Sequence, residues 1–316
     1  MKIPYGKQQV TEADIQAVVD VLRSDFLTQG PAVEAFEKEV AAYCGVRYAV
    51  AVNSATSALH LACLAADLGA GDILWTSPNT FVASANCGLY CGANVDFVDI
   101  DSRTLNLSPG ELAGKLEQAR RNDCLPKVVI PVHFAGQSCE MDKIHELAKQ
   151  YGFSVIEDAS HAIGGQCNGA AVGSCRFSDM TVFSFHPVKM MTTGEGGMVL
   201  TNRQDLYQKV LRLRTHGITR DETQMVGEPH GPWYYQQLEL GCNYRMTDMQ
   251  AALGLSQLKR LDTFVARRNH LAARYRHAFR GTSLACQYLP AGIDSAFHLF
   301  VVRLPKEKGG DSRRGV

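Results

Sequence analysis

The sequence lacks the motifs by which several large classes of enzyme are identified. It contains no G-x-G-x-x-G that opens a helix after a strand, and no G-x-x-x-x-G-K-[ST] phosphate loop. The metalloprotease motif H-E-x-x-H and the hydrolase motif G-x-S-x-G are also missing. These absences argue against a dehydrogenase, a nucleoside triphosphatase, a metalloprotease and a serine hydrolase.

The chain also lacks an excess of either charge and any long apolar run. Its 316 residues include 32 Lys and Arg against 32 Asp and Glu, and 46% of them are hydrophobic. Balanced charge argues against nucleic acid or an anionic membrane as a partner. No segment approaches the roughly 18 apolar residues of a membrane span, and the N-terminus has no apolar signal core. We therefore predict a globular cytoplasmic protein that binds neither nucleic acid nor membrane.

Ten cysteines are present, but none forms a C-x-x-C pair. Cys87 and Cys91 are four residues apart, which predicts that they share one face of a helix. A zinc site needs further ligands at defined spacing, and the sequence does not contain them. We therefore predict no metal site and interpret the cysteines as buried free thiols in a reducing compartment.

Short apolar segments alternate with amphipathic ones along most of the chain. The pattern predicts helices at residues 11–23, 34–44, 55–66, 81–91, 109–121, 141–150 and 247–279. It predicts strands at residues 48–52, 73–76, 95–98, 128–132, 153–156, 180–185 and 198–200. Short strands separated by helices predict an α/β fold whose mostly parallel sheet is covered on both faces.

Lys189 is the most informative single residue. It follows the apolar run 180–185 and is locked into a Thr- and Gly-rich turn at 192–197. A lone lysine after a strand is most often a solvated loop residue. Burial, however, lowers the pKa of an amine and makes it nucleophilic, as a lysine that binds an aldehyde cofactor requires.

Pyridoxal 5'-phosphate (PLP) needs an amine, a carboxylate at its pyridine nitrogen, a group on the ring face and a phosphate cradle. Asp158 follows the strand 153–156 at the carboxyl edge of the sheet, where ligands collect in open α/β folds. A carboxylate there would keep the pyridine nitrogen protonated. His161, three residues on, is either a neighbour of the ring or an ordinary histidine.

A phosphate cradle and a ring-stacking residue also have candidates. Small hydroxyl residues in 53–59 follow the strand 48–52 at a helix start, where backbone N–H groups and the helix dipole favour an anion. The same pattern is equally typical of a plain N-cap. Ser184 adds a hydroxyl from a neighbouring strand. Phe81 is either the stacking residue or a core phenylalanine.

Five motifs, in order along the chain, resemble those of the DegT-type sugar-nucleotide aminotransferases. They are 53–59 (NSATSAL), 157–164 (EDASHAIG), 184–189 (SFHPVK), 193–197 (TGEGG) and 241–248 (GCNYRMTD). The resemblance runs to about residue 303 and implies a fold-type I PLP enzyme. It implies a large PLP-binding domain at 1–245, with an N-terminal helical arm, and a small α+β domain that starts at 246.

Two further segments narrow the resemblance within that family. Residues 75–87 and 213–220 resemble the 4-aminotransferases of pseudaminic acid biosynthesis. The implied reaction is transamination at C4 of a UDP-linked 4-keto-6-deoxy-N-acetylhexosamine, with L-glutamate as donor. Two alternatives are a GDP-linked sugar as substrate and an inactive PLP-binding remnant. Sugar dehydratases of this superfamily have histidine in place of the lysine, so Lys189 argues against that activity.

The resemblance also implies roles for particular residues. Lys189 would be the catalytic residue that holds PLP covalently, and Asp158, His161 and Phe81 would surround the ring. Thr56, Ser57 and Ser184 would bind the phosphate. Asn243 would reach the cofactor of the partner subunit in a homodimer with shared sites. Tyr5, Thr28, Gln29 and Gly30 would lie near the nucleotide sugar.

The chain departs from the family pattern at two places. Cys242 occupies a position where relatives often have an aromatic residue. Residues 306–316 (KEKGGDSRRGV) are polar, rich in glycine and unlike the family. We interpret this segment as a truncation or frame change, so the small domain at 246–316 is predicted to be incomplete, with a single strand at about 297–304.

Overall fold

The computed structural model describes residues 6–305. Nine α-helices lie in this part of the chain: α1 Glu12–Leu22, α2 Pro31–Cys44, α3 Ala55–Ala65, α4 Ala83–Tyr90, α5 Pro109–Arg121, α6 Met141–Tyr151, α7 Gln204–Arg214, α8 Asp248–Leu258 and α9 Leu261–Ala278. None of these nine helices is long and apolar enough to cross a membrane.

Fourteen strands, several of only two residues, accompany the helices within the same range. They are β1 Tyr48–Val52, β2 Ile73–Thr76, β3 Asn94–Phe97, β4 Val128–Ile130, β5 Ser154–Asp158, β6 Gln166–Cys167, β7 Ala170–Ala171, β8 Met180–Ser184, β9 Gly197–Thr201, β10 Ile218–Thr219, β11 Gln236–Gln237, β12 Ala285–Cys286, β13 Ile293–Asp294 and β14 Val302–Arg303.

Seven strands form the central sheet, in the order β1-β9-β8-β5-β4-β2-β3. The neighbouring pairs among β3, β2, β4, β5 and β8 are parallel, whereas β9 runs antiparallel to both β8 and β1. The predicted mostly parallel sheet is therefore confirmed. Because parallel strands end at the same edge, the segments that follow β2, β4, β5 and β8 meet there.

Helices cover both faces of this sheet, as the alternation predicts. Helices α3 and α7 pack on one face with Val182 and Val199, and α2 packs on the other with Phe183 and Leu200. Consecutive strand residues point to opposite faces, so neighbouring apolar residues contribute to different cores. Helix α3 is buried on almost every side, and its alanines and Cys63 let it approach β8 and β9 closely.

Three predictions near the C-terminus and at one helix start need correction. The single helix predicted at 247–279 is two helices, because the backbone turns at Lys259 and Arg260. At this turn the Arg260 guanidinium binds the buried Asp14 carboxylate at 2.5 Å. The helix predicted at 81–91 begins only at Ala83. The strand predicted at 297–304 shortens to β14, which pairs with the unpredicted β12.

Residues 306–316 lie outside the described part of the chain. The predicted domain boundary at residue 245 stays a prediction.

All ten cysteines are free thiols, and six of them are buried. Cys124 is exposed, so the prediction of a buried thiol is wrong for this residue, which lies in the turn after α5. Within residues 6–305, no group of three or more His, Cys, Asp or Glu is arranged to hold a metal ion.

The start of β9 lies against the start of α3 with no room for a side chain. A Cβ atom built on Gly197 would lie 2.5 Å from the Ala55 backbone nitrogen and 2.5 Å from the Ser54 carbonyl carbon. Both are backbone atoms, so neither can rotate away as a flexible side chain would. Gly197 therefore sets the distance between the sheet and the first turn of α3.

We predict that Gly197→Ala lowers the free energy of unfolding by about 1–3 kcal/mol, the usual cost of overpacking. The matched control is Gly114→Ala in α5, where a Cβ meets nothing within 4 Å. That control should be neutral or stabilising by up to about 1 kcal/mol, because alanine is the better helix former. Urea unfolding of the two variants measures both effects, and equal stability of Gly197→Ala and wild type would contradict the prediction.

Candidate active site

A cavity of about 760 Å³ opens at the carboxyl edge of the central sheet. Seven residues predicted from the sequence line it together: Thr56, Ser57, Phe81, Asp158, His161, Ser184 and Lys189. They come from the start of α3, the segment after β2, and the ends of β5 and β8. These segments are far apart in the sequence, and the parallel strand order brings them to one place.

Lys189 lies half-buried in a tight turn that follows β8. The Lys189 N–H donates to the His186 carbonyl at 2.9 Å, and the Phe185 carbonyl accepts from the Thr193 N–H and the Thr192 hydroxyl, each at 3.0 Å. These bonds close the turn and hold the lysine backbone in place. Burial lowers the pKa of the Lys189 amine, and the Asp158 charge opposes this shift only in part. The amine is therefore more nucleophilic than that of a surface lysine.

The Asp158 carboxylate is buried and held at both oxygens. Its Oδ2 accepts from the Ser84 hydroxyl at 2.6 Å, and its Oδ1 accepts from the Ser160 N–H at 3.1 Å. Ser84 was not predicted as a site residue. Its hydroxyl also lies 2.7 Å from that of Thr80, four residues earlier. Thr80 precedes α4, which begins at Ala83, so helical spacing in the sequence does not point to this pair.

His161 lies in the cavity wall and has an unsatisfied ring nitrogen. Its buried Nδ1 has no hydrogen-bond partner in the described part of the chain, and its ring centre is 4.4 Å from that of His298. Burial, and then the Lys189 charge, lower the pKa of His161 to about 4, against the opposing effect of Asp158. His161 is therefore neutral near pH 7. His298 comes from the C-terminal segment, and no local sequence pattern indicates its position.

The first turn of α3 faces the cavity with free donors. Ser54 is a true N-cap, because its Oγ accepts from the Ser57 N–H at 3.1 Å. The Ser57 hydroxyl donates to Asn53 Oδ1 at 2.6 Å. The amides of Ala55 and Thr56 have no acceptor within the helix, since the first turn of every helix leaves its N–H groups unpaired. The N-cap and the anion-site interpretations are thus both compatible with this segment.

Phe81 is not a core residue. Its side chain is 72% exposed at the edge of the cavity, so the interpretation as a core phenylalanine is wrong. A residue that lies between a strand end and a helix is free to project from the sheet edge.

Other predicted residues do not reach this cavity within one chain. Asn243 and Thr28 are exposed and lie outside its lining. Gln29, which has a positive φ of 55°, lines a separate cavity of about 560 Å³. Gly30 is buried, and its N–H donates to Asp248 Oδ1 at 2.8 Å. Tyr5 lies outside the described residues.

The residues that line the main cavity fit PLP on chemical grounds. The first turn of α3 offers amides and hydroxyls to a phosphate. A carboxylate fixed by two donors suits a protonated pyridine nitrogen, and an amine with a lowered pKa suits an aldehyde. The unpaired Nδ1 of His161 leaves one further donor or acceptor for a ligand. A cavity of this volume also has the size of ordinary cofactor sites.

Comparison with known proteins agrees with this chemistry. The sequence profile of the DegT/DnrJ/EryC1/StrS aminotransferase family matches residues 8–316. The chain is 40% identical to the spore coat polysaccharide biosynthesis protein SpsC of Bacillus subtilis, over 98% of this chain and 78% of that protein. It is 41% identical to the UDP-4-amino-4,6-dideoxy-N-acetyl-beta-L-altrosamine transaminase of Campylobacter jejuni, over 88% of this chain and 69% of that protein.

A solved structure shares the fold. PseC of Helicobacter pylori, an aminotransferase involved in the biosynthesis of pseudaminic acid, superposes with a TM-score of 0.86 at 30% identity. The match covers 97% of this chain and 78% of the PseC chain. Aminotransferases of this family use PLP, and the fold is the fold-type I architecture. Because the family profile spans all but the first seven residues, the chain belongs to the DegT/DnrJ/EryC1/StrS family of PLP-dependent sugar aminotransferases.

Proposed function

We propose that this aminotransferase acts on a UDP-linked 4-keto-6-deoxy-N-acetylhexosamine, with L-glutamate as the amine donor. Glutamate loses its amino group and leaves as 2-oxoglutarate. The C4 carbonyl of the sugar becomes an amine, which gives UDP-4-amino-4,6-dideoxy-N-acetyl-β-L-altrosamine. The activity named for the Campylobacter jejuni relative and the pathway of Helicobacter pylori PseC support this substrate and a place in pseudaminic acid biosynthesis.

One observation carries the reaction type. The Lys189 amine, the fixed Asp158 carboxylate and the first turn of α3 line one cavity, so a single bound cofactor can contact all three. When bound, PLP supplies an aldehyde that joins an amine covalently and a pyridine ring that withdraws electrons from it. We propose that Lys189 holds the aldehyde carbon, and that Thr56, Ser57 and Ser184 hold the phosphate.

The remaining side chains have proposed roles around the ring. Asp158, held by Ser84 and Ser160, would keep a proton on the pyridine nitrogen. His161, neutral at pH 7, would face the ring without adding charge. Phe81 would cover one face of the ring and exclude water from it.

Lys189 is also the proposed general base. Burial lowers the pKa of its amine, so at neutral pH it carries a proton for less of the time than a surface lysine does. It can therefore accept a proton from the α-carbon of glutamate and, in the second half-reaction, return one at C4 of the sugar. One amine serves both halves, because the two half-reactions follow the same path in opposite directions.

We propose a homodimer in which Asn243 contacts the cofactor of the partner subunit. Asn243 is exposed and lies outside the cavity of its own chain. Several apolar side chains on α4 and just before it are also exposed, including Phe81 at 72%, Val82 at 60% and Tyr90 at 57%. An apolar patch of this kind is typical of a surface that a partner covers. Thr28, Gln29 and Gly30 would then approach the nucleotide sugar.

The first test is a substrate panel. Purified holoenzyme is incubated with L-glutamate and either the UDP-linked 4-keto-6-deoxy-N-acetylhexosamine or a GDP-linked 4-keto-6-deoxyhexose, and amino sugar and 2-oxoglutarate are measured by mass spectrometry. We expect kcat/KM to favour the UDP-linked sugar at least tenfold, a difference of about 1.4 kcal/mol in the barrier. Preference for the GDP-linked sugar would contradict the proposed substrate. Absence of 2-oxoglutarate would identify an inactive PLP-binding chain.

The second test concerns Lys189. Lys189→Ala should lose the visible absorption band of the holoenzyme, and turnover should fall by about a thousandfold or more, as expected for a lost general base. The matched control is Lys143→Ala, which removes an exposed lysine paired with Glu140 on α6. Borohydride should abolish the band in wild type and in the control. Normal turnover of Lys189→Ala would overturn the assignment.

The third test concerns the shared site. Co-expressed Lys189→Ala and Asn243→Ala chains should recover up to about a quarter of wild-type activity, because half of random dimers are mixed and each contains one intact site. The control pair is Lys189→Ala with Asp158→Asn, whose defects fall in the same site of their own chain and cannot be complemented. Equal recovery in both pairs, or full activity of a monomer, would rule out the shared site.

A further inference from the structure

Glu157, the residue before Asp158, has a buried carboxylate that the proposed reaction does not use. Consecutive strand residues point to opposite faces of a sheet. Asp158 therefore faces the cavity, whereas Glu157 points away from it and does not line it. Glu157 is only 5% exposed, and its partner His133 is fully buried. A charged group in such a place needs several donors to be stable.

Three donors surround the Glu157 carboxylate. Oε2 lies 2.6 Å from His133 Nε2, and Oε1 accepts from the Ser178 hydroxyl at 2.5 Å and from the Thr181 hydroxyl at 3.1 Å. His133 Nδ1 accepts the Cys139 N–H at 3.2 Å, so that nitrogen carries no proton. His133 Nε2 is therefore the nitrogen that donates to Glu157.

The carboxylate is ionised despite its burial. Burial raises the pKa of Glu157, but the hydrogen bond from His133, the attraction of His133 and the bonds from Ser178 and Thr181 outweigh this effect and lower the pKa. These contacts favour a negative charge on the face of the sheet that points away from the cavity. Hydrogen bonds to an ionised acceptor are stronger than those between neutral groups.

The donors belong to the two strands that flank β5. His133 follows β4, Thr181 lies in β8 opposite Glu157, and Ser178 precedes β8. The segments that carry these donors also form hydrogen bonds with the backbone around Asp158. The His133 N–H donates to the Asp158 carbonyl at 3.0 Å, and the Ala159 N–H donates to the Val182 carbonyl at 2.9 Å. The Glu157 contacts therefore join the end of β5 to the segment after β4 and to the beginning of β8, the two strands between which Asp158 lies.

We infer that Glu157 and His133 are positioning residues for Asp158, which act through the neighbouring strands from the opposite face of the sheet. By holding the end of β5 to the segment after β4 and to the beginning of β8, the Glu157 carboxylate keeps the Asp158 carboxylate within reach of Ser84 and directed into the cavity. The inference rests on the proposed role of Asp158 at the pyridine nitrogen. Without the buried charge, the end of β5 is held less firmly between its neighbours, and the Asp158 carboxylate shifts from the position that a ring nitrogen requires.

A control variant at a second buried carboxylate distinguishes this positioning role from an effect on stability alone. Asp14 is fully buried and accepts from the Ser256 hydroxyl at 2.6 Å and from Arg260 at 2.5 Å. It joins α1 to α8 and does not line the cavity. Asp14→Asn removes a buried charge as Glu157→Gln does, but leaves the strand ends around Asp158 intact.

The experiment measures the ring nitrogen itself. Holoenzyme variants are loaded with PLP labelled with ¹⁵N at the pyridine nitrogen, and the ¹⁵N chemical shift, the melting temperature and the glutamate half-reaction rate are recorded. Asp158→Asn supplies the shift of a ring that has lost its carboxylate. We expect Glu157→Gln to move the shift toward that value and to slow the half-reaction at least tenfold. Asp14→Asn should lower the melting temperature and leave the shift at the wild-type value.

Two outcomes would overturn the inference. If Glu157→Gln lowers the melting temperature but retains the wild-type ¹⁵N shift and half-reaction rate, Glu157 is only a structural residue. If Asp158→Asn itself leaves the shift unchanged, the role of Asp158 fails, and the inference fails with it. Should Glu157→Gln not fold, Ser178→Ala removes one of the three donors and retains the charge. It should move the shift in the same direction by a smaller amount, and an unchanged shift would refute the inference.

Discussion

The parallel pairing of β2, β4, β5 and β8 is the constraint on which the candidate site depends. Parallel strands end at the same edge of a sheet, so the segments after them converge even though they are far apart in the chain. Asp158 ends β5, Ser184 ends β8, and Lys189 follows in the next turn. If one of these strands were reversed, its functional side chain would lie at the opposite edge of the sheet.

A second constraint comes from the antiparallel strand β9. It starts at the site edge, where Gly197 contacts the backbone at the start of α3, and it pairs with β8 and β1 as it runs away from that edge. Because α3 is buried almost all round, its axis cannot shift to relieve a clash at this point. The position of the Ala55 and Thr56 amides is therefore set by sheet packing and by the N-cap bond of Ser54.

Electrostatics at the site follows from partial burial of like charges. Burial is the largest cause that lowers the pKa of Lys189, His161 and His298. The Lys189 charge adds to it at His161, and the charges of His161, Lys189 and Arg268 add to it at His298, whose pKa falls to about 2. Asp158 is the negative group that opposes these shifts for Lys189 and His161. The two histidines are consequently neutral at pH 7. The site thus combines one fixed carboxylate with an amine that gives up its proton readily.

Much of the architecture follows from local pattern in the sequence. Period-two and period-3.6 spacing located β1, β2, α3 and α5 to within a residue, because apolar periodicity is a property of neighbouring positions. The motif that contains Lys189 indicated the chemistry, and the family match agrees with it. The break at Lys259 and Arg260 was missed. At this point the Arg260 guanidinium binds Asp14, which lies 246 positions earlier in the chain, and a contact of that span leaves no local pattern.

The sequence by itself therefore determined most of the alternation of strands and helices, the lysine after β8 and its turn, and the run that ends in Glu157 and Asp158. Only the tertiary structure decided which groups meet these residues: Ser84 at Asp158, His298 at His161, and His133 at Glu157. The physical reason is that a hydrogen bond requires two atoms within about 3 Å. Strand order and helix packing, which join distant parts of the chain, determine which atoms come that close.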